Sequence, residues 1–559
     1  MAIKRIGDIL IEERVITPEQ LSQALKVKAK DERLGECLIR LGYVTESQVL
    51  SVLENTTGVQ RISLAKYNLD ETILALIDEE FARRNKVIPL KVEGQHLFVA
   101  VNDPLDFAVV EDLRVVTGYK PRVFTALKNE IDSAIEKYYG FNRTMEALGL
   151  KSKNGQVVNI ETTGEDNTVV PDEADETPMV QLVNQILASA VFQRASDIQI
   201  DPLDNIVAVR YRIDGVLDTV REFPIRLHPQ LVSRVKVMSG MDITEARIPQ
   251  DGRIQTYINN KHVDLRISTL PTVRGEKIVM RILDIGGNTN KVNNIGLNAR
   301  DEAVVRKVIS APNGIILVSG PTGSGKTTTL YACLNELNTP GVNIITVEDP
   351  VEIKVQGINQ VQVQADVNMT FANALRAILR QDPNIVMIGE IRDGETAEIA
   401  VRASLTGHLV LSTIHTNDAV KTISRLVDMG IEPFMISSSL SCVISQRLVR
   451  RLCEECSYYD DPTVQERQVF DRYGIKVDKV KRPKGCPSCN NKGYFGRVGI
   501  FEVLVVNDEL RQLITENASV MKLTDAARRG GCRTLIESGL EKCAMGLTTL
   551  EEVIKVTFD

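Results

Sequence analysis

Apolar residues fall into two rhythms along this chain. Near the N-terminus they return at helical spacing and the pattern itself repeats. Arg5-Ile6-Gly7 opens one segment, in which Leu21 and Leu25 close a helix. Arg33-Leu34-Gly35 opens the next, 28 residues on, with Gly42, Val49 and Leu53 at matching offsets. Each segment predicts a short helix, a turn and a second helix. The second helices begin at Thr17 and Thr45, where Gln20 and Gln48 complete capping boxes. Beyond residue 60 the rhythm changes. Val87-Ile88-Pro89-Leu90 and Leu97 to Val101 read as strands, Asp103-Pro104 as a turn, and 111–117 and 131–139 as helices. Residues 1–144 thus predict a helical repeat (1–60) followed by a small α/β domain (61–144).

Between Glu161 and Glu176 there are seven acidic residues and no basic one. Such a stretch cannot bury enough apolar surface to order itself, so 145–177 is expected to be a linker. A second α/β domain follows over 178–285, with Ile206 to Arg212 as a strand running into the turn Ile213-Asp214-Gly215. From residue 286 the apolar residues come as short unbroken runs: Ile315 to Val318, Ile344 to Val347, Ile385 to Ile388 and Leu409 to Leu411. Unbroken runs of this length are strands buried on both faces, the mark of a parallel sheet in an α/β protein. The core domain is placed at 286–447, a small cysteine-bearing lobe at 448–498 and a helical end at 499–559.

Composition narrows the picture. With 43% hydrophobic residues the chain can build several cores. The net charge is −7, from 67 basic and 74 acidic side chains, which argues against a general nucleic-acid binder. No apolar run approaches the roughly 18 residues a membrane helix needs. The N-terminus has no apolar signal core, so the protein is expected in the cytoplasm.

The chemistry is concentrated after the first buried run. Gly320-Pro321-Thr322-Gly323-Ser324-Gly325-Lys326-Thr327, followed by Thr328, fits a phosphate-binding loop between a strand and a helix. Its backbone N–H groups would close around phosphate oxygens. Lys326 would reach the β- and γ-phosphates of ATP, and Thr327 would hold Mg²⁺. Three further strands end in polar groups. Ile344 to Val347 runs into Glu348, Asp349 and Glu352; Ile385 to Ile388 runs into Gly389-Glu390; and 407–416 is flanked by His408 and His415, with Ser412-Thr413 between them. Ligand sites in doubly wound sheets lie beyond the carboxyl ends of the strands. One carboxylate would orient the attacking water and another fix the magnesium, and the histidines with the Ser412-Thr413 strand end suggest a γ-phosphate sensor.

Cys453 and Cys456 form one CxxC pair, and Cys486 and Cys489 a second. Two such pairs suit a tetrahedral Zn²⁺ site that is closed, and so structural. The other five cysteines read as lone core or surface thiols.

The order of phosphate loop, acidic box, Gly-Glu strand end and histidine box resembles the secretion ATPase superfamily, and within it the assembly ATPases of type IV pili and type II secretion. Val209 to Gly215, Arg247 to Arg253 and Ser268 to Pro271 resemble that family's second N-terminal domain, with Ser196-Asp-Ile-Gln-Ile-Asp201 a departure from its usual histidine-containing segment. The four cysteines resemble its metal-binding insertion, which retraction ATPases typically lack. The resemblance implies a RecA-like P-loop core and a homo-hexamer at the inner face of the cytoplasmic membrane, acting on an inner-membrane platform protein with no direct nucleic acid. It implies catalytic roles for Lys326, Glu348, Glu352, Glu390 and His415. Arg210 and, more loosely, Arg226 match arginines that close onto the nucleotide. The N-terminal repeat is similar to the family's tandem cyclic di-GMP-binding motif at Arg5, Gly7, Arg33, Leu34, Gly35 and Gly42. It departs at Arg14, Lys28 and Thr56, which replace a glycine and two glutamines. A DNA-uptake or conjugation ATPase and a nucleotide-sensing signalling protein remain open readings, although intact Lys326, Thr327 and Glu390 speak for an active enzyme.

Overall fold

The computed structural model describes residues 10–557 except 12, 14, 29–33, 35–36, 39–40, 45–47, 49–51, 53, 55–57, 63, 65–68, 70, 105, 129, 133, 136–137, 140–149, 154–155, 160–177, 259–260 and 285–290. The chain divides into two compact units. One is Met1–Ile282 with the short segment Pro487–Asn490; the other is Leu283–Cys486 with Asn491–Asp559.

In the first unit, helix Pro18–Val27 starts at Thr17 with the expected capping box: the Thr17 hydroxyl accepts the Gln20 N–H, and the Gln20 carboxamide accepts the Thr17 N–H at 2.8 Å. Its repeat partner Thr45 lies outside the described residues. Strands β1 (Val87–Glu93), β2 (His96–Val101) and β3 (Lys120–Thr125) form a three-stranded sheet, with helix Phe107–Thr117 crossing between β2 and β3. Inside the expected linker, β4 (Leu150–Lys153) and β5 (Gln156–Asn159) pair as an antiparallel hairpin. The acidic run itself falls outside the described residues.

The second α/β domain is a mainly antiparallel sheet of β6 (Asp197–Pro202), β7 (Ile206–Ile213), β8 (Val216–Pro224), β9 (Gln250–Ile258), β10 (Lys261–Thr272) and β11 (Gly275–Asp284), in the order β8-β7-β6-β11-β10-β9. Alternation along these strands separates two faces. Ile198, Ile200, Val207, Val209, Tyr211, Ile278 and Met280 pack into a core with helices Pro178–Phe192 and His228–Ser239. The intervening residues Asp197, Gln199, Asp201, Arg210, Arg212, Lys277 and Arg281 make a lattice of charges on the other face.

The second unit is built on seven strands. These are β12 (Gly314–Ser319), β13 (Ile344–Glu348), β14 (Asn359–Gln362), β15 (Ile385–Ile388), β16 (Leu409–Ile414), β17 (Leu440–Leu452) and β20 (Tyr494–Val505), ordered β14-β13-β15-β16-β12-β17-β20. All pairs are parallel except β17 with β20. The unbroken apolar runs have the expected cause. Ile315, Leu317, Ile345, Val347, Val386, Ile388 and Val410 face one core, and Ile316, Val318, Ile344, Met387, Leu409 and Leu411 face another.

The boundaries expected at 447/448 and 498/499 fall inside β17 and β20, which leave the core sheet together and continue into the cysteine lobe. The lobe adds β18 (Tyr458–Asp460), β19 (Val480–Arg482) and helix Val464–Arg472. Its Phe470 and Val480 share a small core with Leu540, Cys543, Leu550 and Val553 from the C-terminal helices. Arg450 is held between a two-point ion pair to Glu552, at 2.9 and 2.6 Å, and the ring of Tyr494. The lobe and the helical end are therefore one packed body, because apolar side chains on both sides need the same cover.

Glu502, on β20, is buried, and one carboxylate oxygen accepts the Ala419 N–H at 3.0 Å, capping helix Ala419–Asp428. Burial, reinforced by the like charges of Asp418 and Glu537, pushes its carboxyl up to about 7. Between the ordinary glutamate range and pH 7 the folded state therefore holds a proton that the unfolded chain releases, and stability declines as pH rises through that window. Glu502→Gln keeps an acceptor and removes the charge. Its stability should match wild type near pH 4.5 and exceed it above pH 8 by about 3 kcal/mol. Equal pH dependence of the two proteins would refute the buried-acid assignment.

Candidate functional site

Parallel pairing sets the carboxyl ends of β12, β13, β15 and β16 along one edge of the sheet. At the end of β12 the chain turns through Gly320 to Gly325 into helix Lys326–Leu337. Gly320 sits at φ +147°, and a Cβ there would lie 2.6 Å from both the Gln446 carbonyl and Ser324 Oγ. Only glycine closes this turn. Gly325 caps the helix with no side-chain hydrogen bond, so the first-turn N–H groups have no side-chain acceptor at the cap. Ser324 Oγ is buried with no hydrogen-bond partner among the described residues. A cradle of backbone donors with an orphaned hydroxyl fits a polyphosphate. Lys326 folds over the loop and donates to the carbonyls of Gly320 at 2.9 Å and Pro321 at 3.0 Å. Burial lowers its ammonium pKa, Arg447 adds to the effect, and Glu390 opposes it. Thr322 and Gly323 form the exposed crest of the loop, and Thr327 and Thr328 begin the helix.

Glu390 follows β15, and its turn is fixed from β16. The Ser412 hydroxyl donates to the Ile388 carbonyl at 2.9 Å, and Thr413 donates to that of Gly389 at 2.7 Å. Both hydroxyls are buried and brace the neighbouring strand end. Glu390 pairs with Arg392, and its other oxygen stands 3.5 Å from His415 Nε2. Burial first, then the nearby Lys326 charge, holds the His415 pKa below the ordinary histidine range. The imidazole is therefore neutral at pH 7. Lys326, Glu390, Arg392 and His415 converge on one place. His408 does not join them. It precedes β16 at the opposite edge of the sheet, where Nδ1 meets the Ala403 carbonyl at 2.9 Å.

The acidic box divides. Glu348 is buried at the end of β13, with one oxygen accepting from Tyr331 Oη at 2.5 Å and the other from Thr346 Oγ1 at 2.6 Å and Gln360 Nε2 at 3.1 Å. Glu352 and Asp349 are exposed on the loop that follows. Arg210 and Arg226 lie in the other compact unit. Arg210 is bound to Asp201 at 2.5 Å, and Arg226 is exposed on the turn Ile225–Leu227. Of the N-terminal set, Arg5, Gly7, Arg33 and Gly35 lie outside the described residues. Leu34 is half-buried against the helical core, and Gly42 turns at φ +72°.

Arg392, Gln446 and Arg447 were missed in sequence. The last two carried a signal: a Gln-Arg pair inside the apolar run Leu440 to Leu452 must find buried partners. Arg447 donates to the Asn417 carbonyl at 3.0 Å, beside His415.

Cys453 and Cys456 follow β17, and Cys486 and Cys489 flank a short turn. Their four sulfurs lie within 4.8 Å of one another, and those of Cys453 and Cys486 are 3.7 Å apart. Sulfurs around a tetrahedral zinc are separated by about 3.8 Å, from Zn–S bonds of about 2.3 Å. Gly485, at φ +100°, lets its N–H reach Cys456 Sγ at 3.3 Å; a Cβ there would meet the Asn491 carbonyl at 2.7 Å. The set fits a structural metal held by four thiolates.

Residues 172–555 match the family model described as Type II/IV secretion system protein, and residues 57–145 match the MshEN domain model. The chain is 43% identical over 561 residues to the type IV pilus assembly ATPase PilB of Myxococcus xanthus, covering 98% of both chains. It is 39% identical over 565 residues to the type II secretion system protein E of Xanthomonas campestris pv. campestris, covering 99% of this chain and 98% of that one. Among solved structures it shares its fold with the Legionella pneumophila ATPase DotB, at 21% identity and a TM-score of 0.51, over 69% of this chain and 97% of that one.

Purified protein should contain about one zinc per chain, the content of one four-thiolate site. Cys486→Ser should lose that metal and lower the denaturation midpoint, while protein that stays folded keeps its phosphate loop. Elemental analysis finding fully reduced, folded protein without metal would remove the assignment.

Proposed function

The chain belongs to the type II/IV secretion system protein family and is an ATPase, and on that premise we propose that it is the motor assembling a type IV pilus or a type II secretion pseudopilus. The observation that carries the enzymatic part is the convergence of Lys326, Glu390 and His415 beside the loop Gly320 to Gly325. ATP binds in the cradle, where its phosphates replace the Gly320 and Pro321 carbonyls as partners of Lys326. Thr327 would hold Mg²⁺, which would screen the phosphate charge. Water attacks the γ-phosphorus, the bond to the β-phosphate oxygen breaks, and ADP and phosphate leave. Glu390 orients that water or the metal's waters, and Glu348, fixed by three donors, supplies the second carboxylate. His415 reads the γ-phosphate through a hydrogen bond.

The working form is a homo-hexamer. Arg210, with Arg226, exchanges internal partners for phosphate when its domain closes on a core, and the developing negative charge is stabilised. Cycles of closure and release deliver motion to an inner-membrane platform protein, with the motor at the cytoplasmic face of the membrane. Zinc in the cysteine lobe holds that lobe together. The match of residues 57–145 to the MshEN model, beside the helical repeat, supports cyclic di-GMP as a regulator.

Lys326→Ala should abolish both nucleotide binding and hydrolysis. Glu390→Gln should still bind ATP but turn it over at least about a hundredfold more slowly, the scale of losing one charge at the reacting centre. Arg210→Ala should lose hydrolysis with modest loss of binding. A Glu390→Gln protein with near wild-type turnover would move the role to Glu348, and full specific activity in a dilute monomer would exclude the ring. Calorimetry of the full chain with cyclic di-GMP should give saturable heat that Arg33→Ala removes. No heat at high micromolar ligand would leave the repeat as a docking module.

A further inference from the structure

Strand β17 runs beside β12 in parallel register, with Ser445 opposite Ser319 at the mouth of the phosphate loop. The next residue, Gln446, is buried. Its side-chain Nε2 donates to the Ser324 carbonyl at 2.6 Å, and its Oε1 accepts from Thr329 Oγ1 at 2.7 Å. One carboxamide thus grips the loop at Ser324 and the following helix in its first turn at Thr329. Its backbone carbonyl also fills the space beside Gly320, where a Cβ would approach to 2.6 Å. Both partners are buried, so neither has water as a substitute. Ser324 is the buried loop residue whose hydroxyl has no hydrogen-bond partner among the described residues.

We propose that Gln446 is a positioning residue that holds the phosphate loop in its nucleotide-competent shape before ATP arrives; this rests on the reading of that loop as the ATP site. The bland alternative is a core amide that merely satisfies two polar groups. The two differ in what they predict. Without the brace the loop spends only part of its time in the competent shape, and apparent affinity falls by that fraction. Saturating nucleotide pulls the loop back, so the chemical step suffers far less. A core role would instead lower stability whether or not nucleotide is bound.

The test uses the full chain. Gln446→Leu keeps the approximate volume and deletes both bonds. Thr329→Val is nearly isosteric and deletes one, which covers the case in which the leucine variant does not fold. KM for ATP should rise about tenfold in the first and less in the second, with kcat falling much less than KM rises; tenfold is the scale of one or two buried hydrogen bonds. The double variant should be no worse than Gln446→Leu, because both act through one contact. Saturating ADP should restore most of the lost denaturation midpoint. Wild-type KM in both variants would overturn the proposal, as would a loss of midpoint that ADP leaves unchanged. Lys326→Ala tests the loop as the ATP site independently of Gln446. If it binds ATP normally, the reading of the loop fails, and the inference with it. If it does not bind while the Gln446 variants bind normally, only the inference fails.

Discussion

Everything at the site follows from parallel strand pairing. A parallel sheet needs crossovers, the crossovers cover both faces, and each interior strand must then be apolar on both sides. Polar side chains are pushed to the strand ends. Since β12, β13, β15 and β16 point the same way, their carboxyl ends gather the lysine, the carboxylates and the histidine on one edge. Reversing any one of these strands would scatter the set.

Once polar groups are forced to a buried rim, each needs a partner. The structure meets that need unevenly. Glu348 has three donors, and Ser412 and Thr413 each hold a carbonyl of the neighbouring strand end. Among the described residues Glu390 is engaged by Arg392 and a loosely placed His415. The fully satisfied groups are costly to move and behave as framework. The loosely held ones can change partners when phosphate enters. The same contrast separates Glu502, buried and capping a helix, from the exposed Glu352. Acid residues in this core therefore differ in role because their hydrogen-bond supply differs.

How much of this was legible in the sequence follows from the range of each interaction. The phosphate loop, the Thr17 capping box and the two CxxC pairs are local, and their chemistry can be read within a few residues. The buried strands were legible because both faces are covered. His408 and His415 were read together although the six-residue strand between them sets them at opposite edges of the sheet. Ser412 and Thr413 looked like a polar strand end because their acceptors lie on β15 and the turn after it, more than twenty residues away in sequence. Gln446 could not be joined to Ser324, which precedes it by 122 residues. The lobe looked separate because the boundaries at 447/448 and 498/499 cut through two strands that pair across more than forty residues of sequence.

Those two strands carry a rule about sequence length. From Gln446 at the phosphate loop to Cys453 at the metal cluster the chain is almost continuous β17, and seven residues at about 3.3 Å each span roughly 23 Å. Successive side chains alternate faces as far as Arg450, where the register against β20 shifts before Leu452, so inserting or deleting one residue ahead of that irregularity would turn the cysteine around relative to the glutamine. Changing both β17 and β20 by two residues would preserve both facings and lengthen the arm by about 7 Å. The lobe's reach can therefore change in paired steps of two without disturbing either end, whereas a single-residue step has to be taken up by an irregularity such as the one at Arg450.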